Sequence, residues 1–350
     1  MNSLTIALAG LGGVVLAGVI AHGAWQARKA GPKRPEEPKT EPREPVLQEP
    51  TLDGAERIEP TAIEEPVSPL PVALRRASLR IDALIDAIAT LTVEAPVSGE
   101  MVLGHQPPTR RAGSKPFLIE GLNAETGEWE APLAGQRYSE LQAGVQLANR
   151  TGALNEIEYS EFVQKIEPFA EAIGAMADFP DMLDAAGRAR ELDAFASQCD
   201  AQLAVHLQAR SAAWSVGYIH QHAARHGFVP GVLPGRLVLP STEEGAPPVL
   251  TLTFDSQAAL ADDPNRAAVR DATLSFDVPQ TDPVADPFVA WQASAQALSL
   301  GMDAVIVDDN GQPLSPAGFA AIGNELSQLY HTLSERDLAA GSAAARRLFS

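Results

Sequence analysis

The stretch VLTLTF, residues 249–254, alternates: Leu250, Leu252 and Phe254 point one way, Thr251 and Thr253 the other. That is the period of a strand with one buried face. TLSFDV at residues 273–278 repeats it through Leu274, Phe276 and Val278, and LAVHL at residues 203–207 through Leu203, Val205 and Leu207. Three strands that are apolar on one side only predict a sheet with one face on a core and the other turned to water or a partner. Around them the apolar spacing predicts helices over Val216 to His226, closed by Gly227, over Pro287 to Leu300, closed by Gly301, and over Ser315 to Leu333 with Pro316 in the first turn. Ala304 to Val307 reads as a short strand between the last two. This order suits an α+β fold, a largely antiparallel sheet covered on one face by helices.

Working back along the chain, residues 75–200 repeat part of this plan as a degenerate duplication. ATLTVEAPVSG (89–99) aligns with AQLAVHLQARS (201–211), which matches Leu91 to Leu203 and Val93 to Val205. The helical stretch near Tyr159 to Ile173 aligns with that near Phe288 to Leu300, matching Phe162 to Phe288. Pro116 to Leu122 and Glu128 to Pro132 read as a strand pair around the turn Asn123 to Gly127, and Leu183 to Cys199 as a closing helix.

Further back, Leu4 to Trp25 carries no formal charge and is long enough to cross a bilayer as a helix. Arg28, Lys29, Lys33 and Arg34 follow it and none precedes it, so the positive-inside rule predicts an outside N-terminus and a cytoplasmic bulk. Small residues at Ala21 to Ala24 are the sequence basis for the competing reading, a cleaved secretory leader. Ala9, Gly13, Ala17 and Ala21 form a stripe on which the same helix of a second copy would pack as a homodimer. Gly10 to Gly13 lies inside this span and is no nucleotide fingerprint. From Ala30 to Pro71 the chain is Pro- and Glu-rich without apolar period, the composition of an extended tether.

The chain therefore divides into an anchor (1–27), a linker (28–74), a first αβ half (75–200), a second (201–335) and a tail (336–350), the last expected to be frayed or loosely helical. A net charge of −19 argues against nucleic-acid binding, which needs clustered cations. The single cysteine, Cys199, excludes an intrachain disulfide and reads as a small buried hydrophobe. His220, His222 and His226 share a helix without an HExxH pattern, Asp308 to Gly311 lacks the ligand alternation of a calcium loop, and Glu156, Glu158 and Glu161 open a helix where its dipole favours negative charge. No catalytic, cofactor or metal residue is assigned, and a non-catalytic module is expected.

AVIVDDNGQPLSPAGFAAIGNEL (304–326), with its short strand, Asp308-Asp309, and Ser315-Pro316 helix start, resembles the ending of the ZipA family. LSFDVPQ before a long helix is a second match, and anchor, acidic tether and C-terminal αβ module repeat the family's architecture. The resemblance covers residues 201–335 by sequence and implies a split β-α-β fold. It also implies that an exposed sheet face binds the C-terminal tail of FtsZ and so tethers its filaments to the bacterial inner membrane at the division site. If the apolar strand positions face inward, alternation turns His206, Val238, Thr251, Thr253, Thr273 and Ser275 outward, as a candidate partner-binding face more polar than an apolar groove. That polarity and the extra first half keep open an envelope or division scaffold with a different protein partner.

Overall fold

The computed structural model describes residues 80–261, 263 and 266–350. The expected membrane span and the whole of the tether lie outside them, and no helix of the described residues is long and apolar enough to cross a membrane.

The first half runs β1 (Asp86–Ser98), α1 (Gly99–His105), β2 (Arg111–Ala112), β3 (Lys115–Asn123), β4 (Trp129–Glu130), β5 (Arg137–Gln146), β6 (Ala148–Asn149), β7 (Gly152–Ala153), α2 (Glu156–Ala172), β8 (Ala175–Asp178) and α3 (Met182–Cys199). Its main sheet has the order β2-β3-β5-β1-β8, all antiparallel, with β4 paired to β3. The second half runs β9 (Gln202–Ala209), α4 (Val216–Ala224), β10 (Val229–Pro230), β11 (Arg236–Leu239), β12 (Leu250–Phe254), α5 (Ser256–Ala259), β13 (Asp271–Asp277), α6 (Pro287–Met302), β14 (Ala304–Val307) and α7 (Pro316–Ser334). Its sheet order is β10-β11-β12-β13-β9-β14, again antiparallel throughout. In both sheets the strand that opens the half lies between the longest later strand and a short edge strand delivered by a long helix.

The inward faces are those that alternation predicts. Val205, Leu207, Leu252, Leu274 and Phe276 are buried under Ile219 of α4, Trp291, Ala295 and Leu298 of α6, and Phe319 of α7. Two fully buried indoles are satisfied by carbonyls, Trp291 Nε1 donating to Leu274 O at 3.0 Å and Trp214 Nε1 to Met302 O at 2.7 Å. In the first half Ala87, Ala89, Leu91, Ala143 and Val145 lie under Phe162, Ile166 and Phe169 of α2 and Ala185 and Ala189 of α3.

The helix ends give the correspondence between halves. Gly174 (φ 69°) closes α2 and Asp303 (φ 56°) closes α6, each in the left-handed region directly before an edge strand. Matching these two residues pairs Phe162 with Trp291, Ile166 with Ala295, Phe169 with Leu298 and Ile173 with Met302, every one of them buried. The edge strands then pair Ala177 with Leu91 and Ile306 with Leu207. Leu91 thus corresponds to Leu207, not Leu203, and Phe162 to Trp291, not Phe288. The difference arises because alanines occupy the centre of the first sheet while the helix above it supplies the bulk.

Residues 336–350 are not frayed. They form a turn and α8 (Ala343–Leu348), and Leu338, Ala345, Leu348 and Phe349 are buried in the core of the first half. Asp86 opens β1 at 1% exposure, and Arg347 meets it bidentately: Nη1 donates to Oδ2 at 2.8 Å and Nη2 to Oδ1 at 2.6 Å. Gln146, opposite Asp86 in the sheet, donates to Arg347 O at 2.6 Å. Removing one partner of such a buried pair strands the other charge. Arg347→Ala is therefore expected to lower the unfolding free energy by about 3–5 kcal/mol in urea denaturation of the full chain; a loss of under about 1 kcal/mol, the range of an exposed ion pair, would contradict this account.

Candidate peptide-binding face

The register of the second sheet places all six predicted residues on one face, opposite the helices. Val238, Thr251 and Ser275 form one cross-strand row, and Thr253, Thr273 and His206 the next, with Arg236 beside Thr253. Five of the six are partly exposed; Ser275 is buried, at 6% exposure, with Gln202 Nε2 at 3.5 Å from its hydroxyl. Ser275 points outward as alternation requires, yet it belongs to the floor of the face rather than to its contact surface.

His206 is held from three sides. Its Nε2 lies 3.0 Å from Asp309 Oδ1, and its Nδ1 lies 3.1 Å from Thr273 Oγ1 and 3.5 Å from Asp271 Oδ1. Both ring nitrogens are thus in hydrogen-bond contact, one with the turn and one with the neighbouring strand. Asp309 belongs to the predicted turn after β14, where Asp308 Oδ1 accepts from the amides of Asn310 and Gln312 and Gly311 has φ 73°. His206 therefore ties that turn to the sheet. Among the described residues no group of three or more His, Cys, Asp or Glu side chains is arranged to hold a metal.

The apolar part of the face lies at its β10–β11 end, which alternation did not reveal apart from Val238. A groove of about 600 Å³ runs between the turn at residues 231–235 and the loop at residues 240–248, with Arg236 and Val238 between the two walls. Val232 is fully exposed, Leu233 59% and Val229 45%. The signal for this site is the run VPGVLPG (229–235), where apolar residues sit between Pro and Gly and have no core to face. The walls are braced by the backbone: Gly231 N donates to Arg236 O at 2.8 Å, Phe254 N to Gly235 O at 2.9 Å, and Val249 N to Leu239 O at 2.9 Å. Arg346 of α8 grips the second wall, donating from Nη2 to Glu243 Oε2 at 2.8 Å, and this guanidinium holds the Glu243 carboxyl below its ordinary range.

The outward face of the first sheet is less open. Gly144 lies on it, and a Cβ there would meet Ile81 at 2.7 Å, because the incoming chain crosses this face. Ile81 N donates to Glu120 Oε1 at 2.9 Å and Arg80 Nη2 to Trp129 O at 2.8 Å, fixing the crossing.

The other chemically distinctive groups have structural roles. Lys115 is 1% exposed and its Nζ donates to Ser114 Oγ at 2.8 Å, Asn149 Oδ1 at 3.0 Å and Thr151 Oγ1 at 3.2 Å. Burial pushes the amine down, the charge of Glu158 opposes that shift, and three acceptors match the three hydrogens of an ammonium. Glu158 accepts from Ser114 and completes a capping box with Asn155, the helix-start role expected of it. Cys199 is buried, and burial pushes its thiol up. His220 is half-buried against the Phe254 ring, and burial pulls its pKa down.

No protein-family model and no curated protein sequence matches the chain.

Gly235 ends the groove turn at φ 73°, and a Cβ there would meet Phe254 O at 2.5 Å. Gly235→Ala is expected to cost about 1–3 kcal/mol and to raise hydrogen exchange at the amides of Gly231 and Phe254. Unchanged stability and exchange would show that the groove wall does not depend on this turn.

Proposed function

We propose that the chain is a non-catalytic adapter of bacterial cell division, anchored in the inner membrane, whose second half binds the C-terminal tail of FtsZ on its outward sheet face. The observation that carries the proposal is the asymmetry of the second sheet: helices cover one face, while the other stays open and ends in an apolar groove. A face of this kind receives a short extended or helical peptide, apolar side chains in the groove and the peptide backbone across the polar rows. The residue similarity to ZipA over 304–326 supports FtsZ as the partner, and the acidic overall charge is consistent with a protein rather than nucleic-acid ligand.

The polarity of Thr251, Thr253, Thr273 and His206 favours a second reading, a division or envelope scaffold that binds another protein through the same face. Titration of a fluorescent FtsZ tail peptide against the full chain in nanodiscs separates the two. Saturable binding is expected, with Thr253→Glu weakening it about tenfold or more, equivalent to about 1.4 kcal/mol. Thr253 is the better probe because a carboxylate at the buried Ser275 would also destabilise the sheet. No binding to the unaltered chain would remove FtsZ and leave the scaffold reading.

A further inference from the structure

We propose that the groove beside β11 reads a carboxylate: Arg236 pairs with an Asp or Glu of a short linear partner while Val232 and Leu233 hold the apolar residues next to it. This rests on the adapter reading and specifies the chemistry of its partner, an extended peptide with an acidic residue beside apolar ones.

Arg236 is a cation with no acid paired to it among the described residues. The chain has 45 acidic against 26 basic residues, and what sets Arg236 apart is a guanidinium that lines an apolar groove with a buried nitrogen left unpaired. Arg236 has no ion pair among the described residues; its one side-chain hydrogen bond is Nη2 to Thr251 Oγ1, long at 3.4 Å, and its buried Nε has no acceptor. Thr251 is a neighbour on the outward face, so the guanidinium lies over that face and lines the groove. A planar guanidinium with donors to spare suits bidentate capture of a carboxylate.

Two acids line the groove, Glu243 and Glu244, and the first is occupied elsewhere. Glu243 lines the same groove, but both its oxygens are engaged by Arg346, Nη1 to Oε1 at 3.3 Å and Nη2 to Oε2 at 2.8 Å. Arg346 is fixed in turn, its Nε donating to Gln280 O at 3.4 Å while the next residue, Arg347, is locked on Asp86. The C-terminal tail thus withholds Glu243 from Arg236, and Glu244, the groove's other acid, makes no ion pair with Arg236 among the described residues. Val232 and Leu233 project beside this cation from the β10–β11 turn, 100% and 59% exposed, and supply the apolar grip. Charge complementarity and apolar rim together select an acidic-apolar peptide over a free anion, which would use the cation alone.

The test pans the full chain in nanodiscs against a display library of random short linear peptides, in parallel with Arg236→Gln, with thermal unfolding confirming that both are folded. The unaltered chain is expected to enrich peptides that carry Asp or Glu next to apolar residues. A synthetic enriched peptide should lose about tenfold in affinity on Arg236→Gln, and by a similar factor when its acid is changed to the amide, with little further loss when both changes are combined. Val232→Asp should abolish binding, and Arg346→Ala, which frees Glu243 to compete, should weaken it severalfold. Enrichment without acidic residues, equal binding to Arg236→Gln, or no enrichment overturns the proposal. If acidic peptides are enriched but the FtsZ tail does not bind, the carboxylate cleft stands and FtsZ falls. If the FtsZ tail binds Arg236→Gln undiminished, the cleft falls and the adapter reading stands.

Discussion

Helix α7 starts in one core and finishes in the other, and the arrangement of the two halves follows from that. Phe319 and Leu326 pack with the second sheet, Leu333 with the first, and Leu329 and Tyr330 touch both. After α7 the chain stays with the first half, burying Leu338, Leu348 and Phe349 and closing on Asp86 through Arg347. Arg150 adds a second tie, with Asp200 at 2.5 Å and Asp277 of the second sheet at 2.7 Å. Two antiparallel sheets of related strand order, one with five strands in line and the other with six, are therefore joined by a shared helix and a returning tail.

This joint distributes exposure unequally. The chain enters across the outward face of the first sheet, placing Ile81 over Gly144, and the tail locks that entry through Arg347 Nη1 to Arg80 O at 2.8 Å. The second sheet keeps its outward face open. The tail also reaches the groove of that face through Arg346 and Glu243, so a segment buried in the first core braces the groove on the second half without lining it.

Much of the second half is legible in the sequence, because its strands carry leucine and phenylalanine in strict alternation and its helices are bounded by Ser-Pro, Gly and Pro. The same alternation placed His206, Val238, Thr251, Thr253, Thr273 and Ser275 on one face. The first half is less legible: Ala87, Ala89 and Ala143 carry little hydropathy signal, and the bulk that fills its core comes from Phe117, Phe162 and Phe169. The groove escaped for a related reason, since Val232 and Leu233 lie in a turn where period says nothing. The tail escaped because an Ala- and Arg-rich run has no apolar period until Arg347 finds a carboxylate far away in sequence.

We propose that the open, partly polar sheet face with an apolar groove at one end receives a short peptide rather than a folded partner, and this is open to direct measurement. An FtsZ tail peptide carrying a photo-activated cross-linker can be bound to the full chain in nanodiscs and the attachment points mapped by mass spectrometry. The account predicts cross-links at residues 229–238 and at Thr251, Thr253 and Thr273, all competed away by unlabelled peptide. Competed cross-links on the first half or on the helical face would contradict it.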